Sequence, residues 1–410
     1  MAEVFAGNGF HIILSSGDLP TQAVSFAISS AHLDGGIMIT ASHNPPQFNG
    51  IKIRSSSGAS VLPEITTKIE SFLGKSEIKR VNIEETERKK LVEKRDLIQS
   101  YIKKVESFLD SNLLKRAHLK VVYDPMFGAG DDVTQKILAG SNCEVITINH
   151  KYNPGFGGLN PEPIEKNLED LKRRVIEEKA DLGIATDGDA DRVGIVDNKG
   201  RYLTPHQVFS LLLLYLVRER EMRGGVAKTV SLGYQPERIA KKFGLFLRET
   251  PVGFKYICEK MIKENILFGG EESGGYGYRG HLLERDGILS SLLFVEMITR
   301  TEKPLSILLK SMEEEFGASF FGRVDFKQRG VNKEKMVEKI SSLPLSSLGE
   351  VSISEVKTID GVKFVMKDES WLLIRPSGTE PKVRVYAEAS NNDRLRRIMK
   401  EGIRIAKDAV

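Results

Sequence analysis

Short apolar runs alternate with amphipathic stretches along the chain as far as Gly317. The apolar runs, such as Ile37–Ile39, Leu119–Asp124 and Ala180–Ala185, predict buried strands. The amphipathic runs, such as Pro205–Arg220, predict helices. Strands and helices in alternation are typical of α/β layers, so this part of the chain is predicted to form α/β domains with mixed sheets.

Beyond Gly317 the pattern changes to several strands followed by one long helix. The predicted strands are Gly322–Phe326, Val362–Lys367, Ser370–Ile374 and Val383–Glu388, and the helix is Asn392–Ala409. This order predicts an α+β domain. We therefore expect three α/β domains at residues 1–113, 114–222 and 223–317, followed by an α+β domain at 318–410, around a shared cleft. The run Leu97–Phe108 is expected to be a helical link between the first two domains.

Composition narrows the class of protein. The 410 residues carry 60 basic and 56 acidic groups, and this slight excess does not indicate a nucleic-acid-binding face. The two cysteines, Cys143 and Cys258, lie far apart, which argues against a disulfide framework. The apolar run Leu211–Val217 is too short to span a membrane, and the first residues do not resemble a signal peptide. We expect a cytoplasmic protein without nucleic-acid or membrane partners.

A serine follows the predicted strand Ile37–Ile39. Ser42 stands just before two prolines, which force the chain to turn and hold the hydroxyl outward. His43 lies beside it, and the ammonium group of Lys52 follows ten residues later. An isolated Ser-His pair is most often only a polar loop, but three further unusual loops recur along the chain.

The strongest of these loops carries carboxylates at alternate positions, Asp187, Asp189 and Asp191. Carboxylates so close together repel one another, so a bound divalent cation explains them better than a solvated acidic turn. An EF-hand is excluded, because its glycine and glutamate positions are occupied by Arg192 and Asn198. The pattern predicts Mg²⁺ completed by water and a phosphate.

A second loop, Gly269–Gly275, contains Glu271 and Ser273, which suit hydrogen bonding to sugar hydroxyls; a flexible turn is the alternative. The glycines from Gly275 to Gly280 match a dinucleotide-binding pattern, but no helix is predicted to begin inside it, so we do not interpret the segment as a dinucleotide-binding site. The segment Thr250–Lys255 places a lysine at the start of a predicted helix, where lysines are usually exposed to solvent.

The third loop, Arg375–Pro381, offers a guanidinium group, two hydroxyls and a glycine backbone, and is either a phosphate cradle or a polar hairpin turn. The sequence has no Walker A lysine loop and is therefore not a P-loop nucleotidase. Taken together, the loops indicate a phosphorylated, hydroxyl-rich substrate, a magnesium ion and a serine nucleophile.

At these loops the sequence resembles the α-D-phosphohexomutase family of phosphoglucomutases, phosphomannomutases and phosphoglucosamine mutases. TASHNP resembles the family's phosphoserine loop, DGDADR its metal loop, GEES its sugar loop and RPSGTEP its phosphate loop, in family order across residues 36–390. The resemblance implies three related α/β domains and a fourth α+β domain around a central cleft.

The resemblance also implies roles for individual residues. Phosphorylated Ser42 would donate its phosphoryl group to a hexose monophosphate and recover one from the bisphosphate intermediate. The implied metal ligands are Ser42 as phosphoserine, Asp187, Asp189 and Asp191. The implied catalytic residues are Ser42, His43, Lys52 and Arg192, with Lys52 the first choice as general base if its surroundings lower its pKa. The implied substrate-binding residues are Gly253, Lys255, Glu271, Ser273, Arg375, Ser377, Gly378 and Thr379.

The expected activity is that of an isomerase, an intramolecular phosphotransferase, acting on small hexose phosphates. Glu272, between Glu271 and Ser273, and the segment Thr250–Lys255 both resemble the phosphoglucomutase form. We therefore expect interconversion of glucose 1-phosphate and glucose 6-phosphate, with Mg²⁺ as cofactor and glucose 1,6-bisphosphate as intermediate and activator. A phosphomannomutase or a dual-specificity mutase is the alternative.

One feature departs from the family pattern. The family carries some tens of residues ahead of this point, including a glycine-rich strand and an arginine-containing turn, and this chain begins one strand and one helix before the strand of the serine loop. The first domain is therefore expected to be incomplete. A sugar-phosphate-binding protein with low activity is the second alternative, and the expected state is a monomer or a homodimer.

Overall fold

The computed structural model describes residues 1–328, 332–377 and 381–409, apart from the side chain of Glu87. These residues form two compact units. The first comprises Met1–Val193 and Gly277–Arg300, and the second comprises Gly194–Tyr276 and the chain from Thr301 onward. In the described part of the chain, no helix combines the length and the apolar character needed to cross a membrane.

Helices and strands alternate from the start of the chain. In order, they are α1 (Ala2–Gly7), β1 (Ile12–Ser15), α2 (Thr21–Ser30), β2 (Gly35–Ile39), β3 (Ile51–Ser55), α3 (Pro63–Glu70), α4 (Ile83–Arg88), β4 (Val92–Arg95), α5 (Ile98–Phe108), α6 (Ser111–Lys115), β5 (Lys120–Asp124), α7 (Val133–Leu138), β6 (Glu144–Thr147), α8 (Glu169–Glu177) and β7 (Leu182–Thr186). Short 3₁₀ turns lie at Phe156–Gly158 and Glu165–Asn167.

The alternation continues through β8 (Val193–Asp197), β9 (Tyr202–Leu203), α9 (Pro205–Arg218), β10 (Gly225–Thr229), α10 (Gln235–Lys242), β11 (Leu247–Thr250), α11 (Phe254–Lys263), β12 (Ile266–Gly270), β13 (Tyr276–Tyr278), α12 (Gly287–Thr301) and α13 (Leu305–Phe316). The last part contains β14 (Phe320–Lys327), α14 (Lys333–Ser341), β15 (Ser347–Leu348), β16 (Val351–Lys357), β17 (Val362–Met366), β18 (Trp371–Pro376), β19 (Lys382–Ala389) and α15 (Asn392–Asp408). The predicted mixed α/β class with a carboxyl-terminal α+β region is confirmed.

Parallel strands form the centre of the first unit. Strands β6, β5 and β7 pair in that order and in parallel, and every residue of β7 is buried. Burial on both faces explains the continuous apolar runs in the sequence, because neither face can carry polar side chains. Helix α8 packs on this sheet through Leu171 and Val175. The loop that carries Asp187, Asp189 and Asp191, called the acidic loop below, begins where β7 ends.

Two smaller sheets carry the serine loop and its surroundings. Strands β2 and β3 are antiparallel, and their register pairs Met38 with Lys52, which places the lysine beside the strand that leads to Ser42. Strands β1 and β4 are parallel, with Ile12 opposite Val92. Helix α2 packs against β2 and α5. Helix α5 buries Tyr101 within the first unit, so it is part of that core and not only a link.

The second unit contains a parallel and an antiparallel sheet. Strands β11, β10 and β12 pair in that order in parallel. The antiparallel sheet has the order β14-β19-β18-β17-β16-β15, and α15 packs across β18 and β19. Helix α9 begins with a capping box, in which the Thr204 hydroxyl accepts from the Gln207 amide and the Gln207 side chain accepts from the Thr204 amide.

Candidate active site

The serine loop holds Ser42 in an unusual backbone conformation. Its φ is 55°, in the left-handed region that residues with a side chain seldom occupy, at a cost of about 1 kcal/mol or more. The loop stabilises this conformation locally, because the Ser42 amide donates to the Thr40 hydroxyl at 2.8 Å. The Ser42 hydroxyl then donates to Oδ2 of Asp187 at 3.0 Å. The predicted nucleophile and the acidic loop are therefore in direct contact.

The acidic loop brings its carboxylates together. Asp187, Asp189 and Asp191 are all buried, and each offers an oxygen within 4.8 Å of the others. Between them Ala190 adopts a left-handed φ of 60°, and its carbonyl accepts from the Gln22 side chain at 2.8 Å and from the Gly287 amide at 3.1 Å. Alternation along a tight turn thus directs three carboxylates toward one point, as the sequence predicts.

One oxygen of Asp189 is crowded with donors. Its Oδ2 accepts from the Lys52 ammonium at 2.5 Å, from the Thr21 hydroxyl at 2.7 Å and from the Thr40 hydroxyl at 3.2 Å. Its Oδ1 is buried and has no hydrogen-bond partner among the residues that the structure describes. A buried carboxylate oxygen without a partner is costly, so this atom suits a cation.

Asp191, like Asp189, has one oxygen bound by donors and one without a hydrogen-bond partner among the described residues. Its Oδ2 accepts from Lys52 at 2.8 Å and from Arg285 at 2.6 Å. Within the described chain its buried Oδ1 also lacks a hydrogen-bond partner, and Arg192 Nε lies 3.9 Å from it. The two partnerless oxygens, together with Asp187 and the Ser42 hydroxyl, form an all-oxygen donor set. These residues therefore fit Mg²⁺, which prefers such ligands.

The carboxylates of the acidic loop do not share one electrostatic environment. Burial, with the neighbouring charges of Asp191 and Asp189, raises the pKa of Asp187 well above its ordinary value. Burial also opposes ionisation of Asp191, but the nearby Arg285, Lys52 and Arg192 hold its pKa below the ordinary value. The loop thus concentrates negative charge that a cation would offset.

His43 and Arg192 share an acidic neighbour, Glu162. His43 Nε2 lies 3.9 Å from the Glu162 carboxylate, and Arg192 lies 3.8 Å from the same group. Burial, reinforced by the charge of Arg192, lowers the pKa of His43 to about 3. The imidazole is therefore neutral at physiological pH in this arrangement and is available to donate a hydrogen bond to a phosphate.

Backbone contacts fix the acidic loop between two other segments. A Cβ added at Gly128 would lie 2.8 Å from both the Cα and the carbonyl oxygen of Gly188. On its other side, a Cβ added at Gly188 would lie closer than 3.0 Å to the Ser42 carbonyl oxygen. The Ala129 amide also donates to the Gly188 carbonyl at 2.9 Å. Glycine at both positions allows three backbones to stack without space for a methyl group.

The residues predicted for sugar binding lie in the second unit. Glu271 is buried, and the Ser273 hydroxyl is buried with no hydrogen-bond partner in the described residues. Glu272 accepts from the hydroxyls of Ser231 at 2.5 Å and Thr229 at 3.3 Å, so its carboxylate is held by the protein itself.

The segment before α11 and the phosphate loop are also in this unit. Gly253 has a φ of 133°, a conformation that favours glycine, and Lys255 Nζ lies 5.3 Å from the ring centre of Tyr256. Arg375 ends up largely buried and donates to Asp360 at 2.6 Å. The Ser377 amide donates to the Lys382 carbonyl at 2.9 Å. The predicted residues Gly378 and Thr379 lie outside the described residues.

The structure brings together the predicted residues Ser42, the acidic triad and Lys52, and it adds three neighbours that the sequence did not indicate. Thr21, Thr40 and Arg285 each contact a carboxylate of the acidic loop. Thr40 lies within the TASHNP motif and could have been included. Thr21 and Arg285 carry no such signal, since ordinary polar residues near a proline and a glycine are common.

Four models of one family match the chain. They are described as "Phosphoglucomutase/phosphomannomutase, alpha/beta/alpha domain I" at residues 1–79, domain II at 99–200, domain III at 204–316, and the C-terminal domain at 327–404. A "Phosphoglucomutase/phosphomannomutase" of Thermococcus kodakarensis is 30% identical over 398 residues, which cover 97% of this chain and 84% of the relative.

This chain is a member of the α-D-phosphohexomutase family. A "Probable phosphoglucosamine mutase" of Methanothermobacter thermautotrophicus is 33% identical over 384 residues, covering 93% of this phosphohexomutase and 80% of the relative. The crystal structure of a candidate phosphomannomutase from Thermus thermophilus matches with a TM-score of 0.85 and 33% identity, covering 98% of this chain and 85% of the other. These similar proteins belong to one family, but their names refer to different sugar phosphates.

Proposed function

We propose that this phosphohexomutase interconverts a hexose 1-phosphate and a hexose 6-phosphate through phosphorylated Ser42. The observation that carries the proposal is the 3.0 Å hydrogen bond from the Ser42 hydroxyl to Asp187, within a cluster of three buried carboxylates. Such a cluster suits the phosphoryl transfer that uses a divalent cation and a positioned oxygen nucleophile. Family membership gives the class of reaction, and the residue roles below are proposals.

In the first step, the bond between phosphorus and Ser42 Oγ breaks as phosphorus bonds to the free hydroxyl oxygen of the sugar. The hydroxyl proton passes to a base, for which Lys52 in its neutral form is our first choice, and Ser42 Oγ takes up a proton as it leaves. The hexose 1,6-bisphosphate then presents its other phosphate, and the same events run in reverse to regenerate phosphorylated Ser42. Mg²⁺, held by Asp187, Asp189 and Asp191, would supply positive charge that stabilises the transferring phosphoryl group.

The remaining residues are proposed to bind the ends of the substrate. His43 and Arg192 would contact the phosphate on Ser42. Sugar hydroxyls would be bound by the second-unit residues Gly253, Lys255, Glu271 and Ser273. The phosphate that is not reacting would be bound by Arg375, Ser377, Gly378 and Thr379.

Glucose phosphates are our leading substrates, because Glu272 and the segment Thr250–Lys255 resemble the phosphoglucomutase form. Mannose phosphates follow, supported by the names of the Thermococcus and Thermus proteins. Glucosamine phosphates are a third candidate, supported by the name of the Methanothermobacter relative. A coupled assay with the three 1-phosphates, each primed with its own 1,6-bisphosphate and Mg²⁺, compares them through kcat/KM.

The same assay tests the reaction itself. No turnover of any of the three sugars by well-folded protein would contradict the mutase proposal and favour a sugar-phosphate-binding protein. Intact-mass measurement should find one covalent phosphate on the wild type and on a Ser57→Ala control, whose serine is exposed. Phosphate that persists on Ser42→Ala would show that the nucleophile is another residue. Asp189→Asn should weaken the Mg²⁺ dependence of turnover.

A further inference from the structure

The first residue of α2 is bound to the acidic loop at two points. The Thr21 hydroxyl donates to Oδ2 of Asp189 at 2.7 Å, and the Thr21 amide donates to the Asp189 carbonyl at 3.1 Å. Thr21 is fully buried, and 168 positions separate the two residues in sequence. The helix does not need this hydroxyl as a cap, because its N-cap position is Pro20, which makes no side-chain cap. The Thr21 side chain is thus committed to Asp189.

The contact controls which oxygen of Asp189 remains available. Thr21 makes a short hydrogen bond to Oδ2 from a side chain with little conformational freedom, since a β-branched residue on a helix has few rotamers. Lys52 also reaches Oδ2, but its long side chain is shared with Asp191, and the third donor, the Thr40 hydroxyl, is more distant at 3.2 Å and also accepts from the Ser42 amide. With Oδ2 fixed, the buried Oδ1 is directed into the acidic cluster, where it lacks a hydrogen-bond partner among the described residues.

We propose that Thr21 is a positioning residue that fixes the Asp189 carboxylate for cation binding. The inference rests on the proposed metal site of the acidic loop. Residues that orient metal ligands commonly change metal affinity or activity by about 10- to 100-fold when they are replaced. Thr21→Val keeps the shape of the side chain and removes the donor, so it should weaken divalent-cation binding by roughly tenfold.

The test is a titration of dephosphorylated full-length protein with Mn²⁺, followed by calorimetry and by the loss of the free-ion electron paramagnetic resonance signal. Thr21→Val and Thr21→Ala should both bind Mn²⁺ about tenfold more weakly than the wild type, and Thr21→Ser should restore the affinity. Ser25→Ala is the matched control, because Ser25 is buried on the same helix and its hydroxyl has no hydrogen-bond partner in the described chain. It should bind as the wild type does.

A structural role alone predicts a different result. In that case the thermal midpoint of Thr21→Val would fall while the Mn²⁺ affinity of the folded protein stayed at the wild-type value, and the proposal would be overturned. Both Thr21→Val and Thr21→Ala are measured, so that if one variant fails to fold, the Mn²⁺ affinity of the other still tests the proposal. If the wild type itself binds no Mn²⁺, the metal site is wrong and this inference fails with it. In activity assays the Mg²⁺ concentration for half-maximal rate should rise, with the sugar-phosphate KM unchanged.

Discussion

Gly128→Ala should reduce catalysis although Gly128 is not among the residues assigned to the site. Its Cβ would lie 2.8 Å from the Cα and the carbonyl oxygen of Gly188, and 2.9 Å from the Asp187 carbonyl oxygen. All three atoms belong to the backbone and cannot rotate away. The acidic loop cannot retreat freely either, because Gly188 is already stacked against the Ser42 carbonyl.

The size of the effect follows from these distances. Ordinary contacts of a Cβ begin at 3.4 Å, so the two backbones must separate by about 0.6 Å. A misplacement of about 1 Å can cost roughly 100-fold in rate. We therefore expect kcat to fall by about tenfold. Overpacking of this kind also costs about 1–3 kcal/mol of stability, which leaves most of the protein folded.

The assay compares kcat for sugar-phosphate conversion and the free energy of unfolding in urea. Gly140→Ala is the matched control, because a Cβ at that position meets no atom within 4 Å. It should retain wild-type turnover. Wild-type kcat in Gly128→Ala, at a similar thermal midpoint, would show that the spacing between the acidic and serine loops does not limit the reaction, and would refute the reasoning.

Three further predictions concern buried acidic groups away from the serine loop. Trp371→Phe removes the indole that donates to buried Glu388 at 2.6 Å, so the free energy of unfolding in urea should fall by about 2 kcal/mol; an unchanged midpoint would contradict this. Burial opposes ionisation of Glu388, but His206, which lies 3.6 Å away, and the hydroxyl and indole donors hold the pKa of Glu388 below 4.5. The ionised Glu388 therefore stabilises the fold at neutral pH, and this stability is lost as the pH falls through the lowered pKa. Glu388→Gln should therefore show a flatter loss of stability in acid, and parallel curves would refute the assignment. Burial raises the pKa of Asp124 to about 6. Its ionisation therefore lowers the free energy of unfolding, by at most about 3 kcal/mol, as the pH rises from 3.8 to about 6. Asp124→Asn should remove this decline, which is measured by urea unfolding at each pH.

Buried strands could be predicted because burial restricts their composition. The run Ala180–Ala185 predicts a buried strand, and β7 is observed at Leu182–Thr186 with all of its residues buried. Strand β5 was predicted from Leu119 to Asp124 and begins one residue later. Where both faces of a strand are covered by protein, the sequence must be apolar throughout, and such a run is visible without knowledge of its neighbours.

Strands β3 and β4 are among those that the sequence pattern does not predict, and each depends on pairing with another strand. Strand β4 has the sequence VEKR, of which only Val92 is buried, and it is a strand because it pairs in parallel with β1. Strand β3 follows the two prolines after Ser42, and its Lys52 and Arg54 alternate with isoleucines. Short strands with charged residues lack a strong local signal, so pairing decides their conformation.

Some residues of the candidate site can likewise be predicted from local sequence, and others cannot. Ser42 and the acidic triad carry local signals, since a serine before two prolines and three alternating carboxylates are unusual in themselves. Thr21 and Arg285 contact that triad from positions 168 and 94 residues away. No feature of their own segments indicates those contacts, because tertiary proximity creates them. The left-handed conformation of Ser42 was equally beyond prediction, since it depends on the Thr40 hydroxyl and the stacked backbone of Gly188.

The discontinuous makeup of the first unit has a consequence for biosynthesis. Arg285 and Gly287 brace the acidic loop, yet they follow it by about 94 residues. A ribosome adding roughly 5–20 residues per second needs about 5–20 seconds to synthesise that interval. During this time the nascent loop lacks both the guanidinium group that will bind Asp191 and the amide that will bind the Ala190 carbonyl, so the acidic loop reaches its final contacts only after the intervening residues have been synthesised.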